Sequence, residues 1–428
     1  MIYIEILVIC WYNCSMKRFI KVFLFLSIFS CFPVFGQADF ESNFLQGYLN
    51  FEQFFLKIGG DYGTTFFPFL SYGYGGREVG FSGAFTAIAD DIGTLESNPA
   101  GTSSLNSSEL SFSHNKLMGD VNYNTLAYTM RFNELGFGIG TRMLYIPFTH
   151  YDKFGYDVGN GVINYTVVTF NASYNFLKSY EYFGLSVGSN IKLYIYGVPE
   201  SIATNQSRVN IAFDFGVLTK FNFLKGYKKI EKNFGVGLVI KNIGPFTDNE
   251  PPPTTFSVGI SYKPIEEVLM SVDFNYLINY SSETYKNWSL KTGFEWTFTK
   301  YSSLLAGVTI KSSPSFSLGF SLNFDDFKIS AVYNPDFIDV ARFSVSATLK
   351  LGDLGRKNRE LSIKKMYSES LKLINDGNFT EAKVLLEKIL EKDSGFTPAK
   401  KSLKNALRQI ETQKNLEEVI EKQRELKY

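Results

Sequence analysis

Between residues 109 and 351 the sequence alternates between apolar and polar side chains with a period of two. One stretch interleaves Val168, Phe170 and Ala172 with Thr169 and Asn171. Successive side chains of a β-strand point to opposite faces, so the alternation predicts strands that are apolar on one face and polar on the other. Fourteen such segments can be counted. Most are longer than the roughly five or six residues usual in soluble domains and suit a tilted strand that crosses a bilayer in about 9–11 residues.

The charged residues of these segments all fall on the polar face. Among them are Arg131, Arg142, Lys192, Asp214, Lys220, Lys241, Asp273, Lys291, Glu295, Lys311 and Lys328. A lipid-facing Arg or Lys near the bilayer midplane costs about 2–4 kcal/mol, so a lipid-facing surface excludes charge. The rest of the polar face is rich in Gly, Ser, Asn and Thr, whereas the outer face of a soluble sandwich, the alternative fold, would carry more Lys and Glu. The pattern predicts an all-β transmembrane barrel of about fourteen antiparallel strands over residues 107–351.

The links between the predicted strands fix an orientation. Links after even-numbered strands are mostly tight, whereas those after odd-numbered strands, such as residues 148–163, are longer. Bacterial barrels keep short turns in the periplasm and long loops outside, so both barrel ends are expected in the periplasm and the protein in the outer membrane. Aromatic residues near strand ends are expected to form the interfacial girdle. They are Tyr145, Tyr194, Tyr196, Tyr276, Tyr280, Trp288 and Trp296.

The N-terminus has the order of a signal peptide. Residues 16–21 are basic, residues 22–35 are apolar, and Gly36 and Ala38 are small enough for signal peptidase. We therefore predict an upstream extension at residues 1–15 and a signal peptide at residues 16–38. Lipoprotein processing at Cys31 and an uncleaved anchor are the alternatives. All three cysteines precede residue 32, which leaves the rest of the chain without a disulfide or a thiol nucleophile.

After Leu351 the apolar period changes to 3.6 and the charge density rises, which predicts a small α-helical domain at residues 357–428. Three helices are expected, at residues 361–375, 380–391 and 398–427. The stretch from Gly377 to Ala382 resembles the turn of a tetratricopeptide repeat, with a plain helical hairpin as the alternative. One repeat and a fraction cannot bury a core alone, so the domain is expected to dock on the barrel or on a periplasmic protein partner.

Residues 39–106 lack clean alternation and contain a long motif. It begins with Gly76-Arg77, continues through Gly80, Gly83-Ala84-Phe85 and Asp90-Asp91, and ends with Asn98-Pro99-Ala100-Gly101. This stretch resembles the N-terminal hatch of FadL-like outer-membrane proteins, which include long-chain fatty-acid transporters and the PorV group associated with protein secretion. The resemblance covers about thirty residues and implies a plug inside a fourteen-stranded barrel. The small residues of the motif would let the plug backbone approach the wall closely.

The resemblance implies two functions. The first is binding or transport of hydrophobic small molecules such as fatty acids. In that family a distorted early strand opens a lateral route, and Gly136, Gly138 and Gly140 on one face of the third strand are candidates for it. Simple packing space for the plug is the alternative for these glycines. The second function is a PorV-like scaffold whose barrel carries the helical domain for partner proteins, because ordinary transporters of the family end with the last strand.

The sequence offers little for catalysis. Asp90-Asp91 fits a turn or helix cap better than an acid–base pair, and His114 and His150 are isolated. Arg77 is expected to pair either with a carboxylate ligand or with an acid inside the plug. We predict no enzymatic activity, no cofactor and no metal. The net charge of +1 provides no strong positive field that would attract nucleic acid. The expected partners are outer-membrane lipid, a hydrophobic ligand and a periplasmic protein.

Overall fold

The structure is a computed structural model. It describes residues 67–425 apart from residues 118–120, 152–153, 179–181, 201–205, 229–230, 248–249, 279–287, 312–313 and 336–341. The predicted extension, the signal peptide, Cys31 and residues 39–66 of the predicted plug lie outside the described residues, as does Tyr280 of the predicted girdle.

Fourteen antiparallel strands form one closed barrel, as predicted. They are β1 Glu109–Lys116, β2 Asn122–Phe132, β3 Leu135–Tyr151, β4 Asp157–Phe176, β5 Leu185–Gly197, β6 Arg208–Phe221, β7 Phe234–Ile243, β8 Thr255–Ile265, β9 Val268–Leu277, β10 Trp288–Thr297, β11 Ser302–Ile310, β12 Ser315–Asn323, β13 Phe327–Asn334 and β14 Arg342–Lys350. Each strand pairs with its neighbours in sequence, and β1 closes on β14 from Glu109↔Lys350 to Lys116↔Phe343. Closure leaves no unpaired sheet edge.

Apolar and polar side chains lie on opposite faces of the barrel wall, as the alternation predicts. Outward-facing Phe112, Leu126 and Phe170 are about half exposed, at 51%, 49% and 50%. Inward-facing Arg142 and Lys192 are fully buried. A belt of large exposed apolar side chains around the whole barrel is stable only against hydrocarbon, because a soluble monomer rarely exposes apolar patches above a few hundred Å².

Two expectations about the wall are wrong. Residues 148–163 are not a long link, because β3 and β4 stay paired out to Tyr151↔Asp157, and ladder pairing satisfies the backbone there. Tyr194 does not belong to an interfacial girdle, since it is 1% exposed and its ring lies 5.0 Å from that of Phe67 inside the barrel. Trp288 is also buried, at 5% exposure.

The barrel has two distinct ends. The end we call the turn end carries the links after even-numbered strands, such as residues 133–134, 266–267 and 324–326, and both chain ends of the barrel. The opposite end, the loop end, carries the links after odd-numbered strands. Residues 222–233 are the long exception at the turn end.

The segment before β1 folds into short pieces inside the barrel. They are the 3₁₀ turns η1 Pro68–Ser71 and η2 Pro99–Ser104 and the one-turn helices α1 Arg77–Gly80 and α2 Thr94–Ser97. We call residues 67–106 the plug. Pieces this short have little helical stability of their own, so their packing against the wall determines their conformation.

Three helices follow the barrel: α3 Arg356–Asn375, α4 Phe379–Lys392 and α5 Thr397–Glu425. The first begins five residues earlier than predicted, directly after Gly355, whose φ of 75° suits glycine. Leu386, Ile389 and Ala399 are 0% exposed in their shared core. None of the helices in the described ranges is both long enough and apolar enough to span a membrane.

Candidate functional site

Arg77 at the start of α1 joins the plug to the wall. Its guanidinium donates to Asp90 (2.7 Å) and Asp91 (3.1 Å) in the plug and to Glu295 of β10 (2.7 Å). Asp91 also accepts from Lys328 of β13 at 2.9 Å. The structure therefore places Arg77 against acids of the protein itself. Asp90 and Asp91 hold the plug to the wall, and Asp91 additionally accepts from the backbone N–H of Gly93 at 3.0 Å.

Glu96 of α2 forms a second ionic cluster, which the sequence analysis did not single out. Its carboxylate lies 3.1 Å from Arg142 of β3, 2.8 Å from Lys192 of β5 and 3.4 Å from Lys241 of β7. Lys192 also pairs with Asp214 of β6 at 2.8 Å. Burial alone would raise the pKa of Glu96, but the three cations lower it to about 2. Glu96 and Asp214 therefore supply two negative charges against these three inward-facing cations.

The end of the motif is a turn held to the wall. The side chain of Asn98 accepts from the Ala100 N–H at 3.1 Å and donates to the carbonyls of Thr86 (2.8 Å) and Val217 of β6 (3.1 Å). Pro99 lies next, and its carbonyl accepts from Asn171 of β4 at 3.0 Å. Gly101 has no room for a side chain, because a Cβ there would lie 2.1 Å from Thr94 Oγ1.

The other small residues of the motif pack at close quarters. A Cβ on Gly76 would lie 2.9 Å from Ser346, one on Gly80 would lie 2.6 Å from Leu305, and one on Gly83 would lie 3.0 Å from Lys291. Ala84, Phe85 and Ala100 are 0% exposed. The motif therefore describes a plug whose backbone touches the wall.

The inner face of the wall carries glycines that contact the plug around most of the barrel circumference. The inward glycines that contact the plug are Gly136, Gly138, Gly140, Gly188, Gly216, Gly235, Gly237, Gly259, Gly293 and Gly307. Several face each other across strands, as in Gly188↔Gly216 and Gly237↔Gly259. We call them the glycine ring. Sequence reasoning selected only the three on β3, although all share the inward phase of their strands.

The three β3 glycines pack against the plug, and the described wall has no opening beside them. Their Cβ positions would lie 2.2 Å from the backbone of Thr102, 2.5 Å from Leu95 and 2.5 Å from the Tyr74 hydroxyl. Through this stretch β3 is paired without interruption to both β2 and β4. The lateral route stays a prediction.

The plug separates two cavities of the lumen. The loop-end cavity has a volume of about 530 Å³ and is lined by Tyr72, Leu117, Leu277 and Trp288 among others. The turn-end cavity has about 1080 Å³ and opens among the links of that end. Helix α1 lies between them, since Glu78 and Val79 line the first and Arg77 the second. A pocket of several hundred Å³ with mixed apolar and polar walls suits a small-molecule ligand.

Glu78 is the one carboxylate on the described lining of the loop-end cavity. It is 5% exposed and accepts from the backbone N–H of Tyr74 at 3.0 Å. Burial and the neighbouring Glu96 raise the pKa of Glu78 to about 7, while Lys241 and Arg342 act in the opposite direction. In the described residues no group of three or more His, Cys, Asp or Glu is arranged to hold a metal ion.

A closed fourteen-stranded barrel with an apolar outer belt and a plugged lumen defines an outer-membrane β-barrel protein. The chain belongs to the uncharacterised protein family UPF0164, whose family model matches residues 56–352. It is 27% identical over 361 residues to a UPF0164 protein of Treponema pallidum (strain Nichols), covering 80% of this chain and 83% of that protein.

A second UPF0164 protein of the same strain is 28% identical over 183 residues, and this match spans only 35% of that protein's length. In structure the chain is similar to the P. putida toluene transporter TodX, with 10% identity and a TM-score of 0.48 over 66% of this chain and 99% of that chain.

Proposed function

We propose that the protein is an outer-membrane channel that binds or passes hydrophobic small molecules, fatty acids among them. The loop-end cavity carries this proposal. It combines apolar lining from Leu117, Leu277 and Trp288 with polar groups on the plug, so an apolar ligand with a polar head fits it. In the orientation predicted from link lengths this cavity faces the cell exterior, where such molecules would enter.

Passage beyond the cavity requires the plug to rearrange. Arg77 and Glu96 hold the plug to β10, β3, β5 and β7 by ion pairs, and the glycine ring leaves little free space around it. In this proposal ligand binding in the loop-end cavity is the first step, and a change in the plug or in β3 opens the way out.

Ligand extraction tests the binding step. Thr255→Trp places a bulky ring in the loop-end cavity, and Thr297→Trp does the same in the turn-end cavity as a matched control. We expect organic extracts of the purified wild type and of Thr297→Trp to contain fatty acids or other apolar compounds by mass spectrometry, and those of Thr255→Trp to lack them. Equal recovery from all three proteins would contradict the proposal.

A second candidate is a PorV-like scaffold with a tetratricopeptide-like periplasmic domain. Its support is the free half of α5, where Leu416, Val419 and Ile420 are 61%, 53% and 43% exposed. Spacings of three and four residues put them on one helix face. A photo-crosslinker at position 416 is expected to capture a defined periplasmic protein in cells. Loss of that product when Val419→Lys and Ile420→Lys are added, but not when Val384→Lys on α4 is added, would support scaffolding.

A further inference from the structure

The two cavities carry opposite charge. Among the described residues, four basic side chains and one acidic side chain line the loop-end cavity. Seven basic and ten acidic side chains line the turn-end cavity. The plug therefore separates a net positive cavity from a net negative one, and the low-dielectric wall focuses each field.

Two cations of the loop-end cavity have no direct ion-pair partner among the described residues. Lys291 of β10 and Arg342 of β14 form no ion pair with any described residue, whereas Lys241 lies 3.4 Å from Glu96. Arg342 donates through Nη2 to Asn115 at 2.9 Å and stands 4.8 Å over the ring of Tyr123. These contacts hold the guanidinium in place without cancelling its charge.

A hydrogen-bond donor is also left without a partner. Asn275 of β9 is 8% exposed and lines the same cavity, and its Oδ1 accepts from Ser257 at 2.6 Å. Its Nδ2 has no acceptor. A buried donor without a partner is costly, and native proteins satisfy nearly all of them, so this amide indicates an acceptor supplied by a ligand.

We propose that the loop-end cavity contains an oxyanion site, in which Lys291, Arg342 and the Asn275 amide bind a phosphate-like group of a ligand. Two cations without a direct ion pair match a group that carries a charge of about −1.5 to −2 at pH 7 better than a single carboxylate does. The planar guanidinium and the ammonium both suit phosphate oxygens. The inference rests on the proposed ligand-binding role of this cavity and names the head group that it selects.

Trp288 provides a reporter inside the cavity. The chain has three tryptophans, at positions 11, 288 and 296, so Trp11→Phe with Trp296→Phe leaves Trp288 alone in the full-length chain. Its fluorescence is titrated in detergent with inorganic phosphate, with acetate as a single carboxylate and with 1-decanol as a neutral apolar probe. Each titration is repeated in Lys291→Gln, in Arg342→Gln and in Lys300→Gln, a control that lines the turn-end cavity.

We expect saturable phosphate binding, about tenfold tighter than acetate, and a loss of about tenfold in each of Lys291→Gln and Arg342→Gln. The response to decanol should be unchanged in both variants, which also shows that they are folded, and Lys300→Gln should match the parent. No saturable response to phosphate, or equal affinity in Lys291→Gln, overturns the oxyanion site. If decanol alone binds, the proposed function stands without this site, and if phosphate alone binds, the hydrophobic-ligand proposal fails instead.

Discussion

The plug and the C-terminal helices bury their side chains in opposite ways. The plug is held by charges, with Glu96 at 1% exposure against Arg142 and Lys192 at 0%. The helical bundle is held by apolar contacts, with Leu386 and Ile389 at 0%. The difference follows from the surroundings. The strands direct their apolar side chains to lipid and keep polar ones for the lumen, whereas the bundle lies against water and is stabilised by the hydrophobic effect.

The two regions also differ in how they are joined to the barrel. The plug bonds to strands around the circumference, from β3 to β13. The bundle contacts the rest of the protein through a few described side chains. Arg356 donates to the Asn106 carbonyl of the plug at 2.9 Å, and Arg359 donates to Asn133 at 3.2 Å and lies 5.8 Å from the ring of Phe132. We therefore expect the plug to unfold together with the barrel and the bundle to unfold by itself.

The largest expected effect comes from Glu96→Ala. It leaves Arg142 and Lys192 buried with too little opposite charge, and removal of one partner of a buried ion pair costs about 3–5 kcal/mol. Urea unfolding in detergent should show this loss for the barrel transition. Glu391→Ala, on the exposed face of α4, is the control and should change that transition little. A barrel as stable as the wild type would show that the Glu96 cluster does not hold the plug.

Ile389→Ala should destabilise the bundle alone. Truncating a fully buried aliphatic side chain costs about 2–5 kcal/mol, here on the helical transition measured by circular dichroism. Val384→Ala, at a position 60% exposed on the same helix, should be near neutral. A matching shift of the barrel transition in Ile389→Ala would contradict independent unfolding.

Gly188→Ala should disturb the plug by overpacking. A Cβ there would lie 2.3 Å from the carbonyl oxygen of Pro99, which is backbone and cannot rotate away. The expected cost is about 1–3 kcal/mol, measured as a lower urea midpoint of the barrel. Ser186→Ala, also inward-facing on β5, removes a hydroxyl without a partner and should be tolerated. Equal behaviour of the two variants would mean that the glycine ring is not in tight contact.

The last expected effect depends on pH and on Glu78. Its pKa is raised from 4.5 to about 7 in the folded protein, so the folded state holds a proton that the unfolded chain releases. The stabilisation is complete below pH 4.5 and is lost as the pH rises through about 7, at no more than about 1.4 kcal/mol per pH unit. Glu78→Gln should remove this dependence. Identical profiles of stability against pH for Glu78→Gln and the wild type would contradict this role of Glu78.

The sequence predicted the barrel because alternation is a local property. The sequence of each strand is enough to assign its inward and outward faces. The charged inward residues, Arg142 and Lys192 among them, were therefore correctly assigned to the lumen. Their partners were not predicted, since Glu96 lies 46 and 96 residues away from them and only the closed barrel brings these charges together. For the same reason three ring glycines were selected and the others missed. Whether an inward glycine meets the plug depends on where the plug lies.

The position of the plug before β1 constrains how this protein assembles. The barrel is completed by pairing β1 with β14, and the plug immediately precedes β1 in the chain. Wall glycines of seven strands lie close to the plug, and those of five strands lie close to its backbone, so the folded plug fits tightly within the closed wall. We therefore expect the final strand pair to form around a plug that is already inside, with its ion pairs to the wall made as the barrel closes.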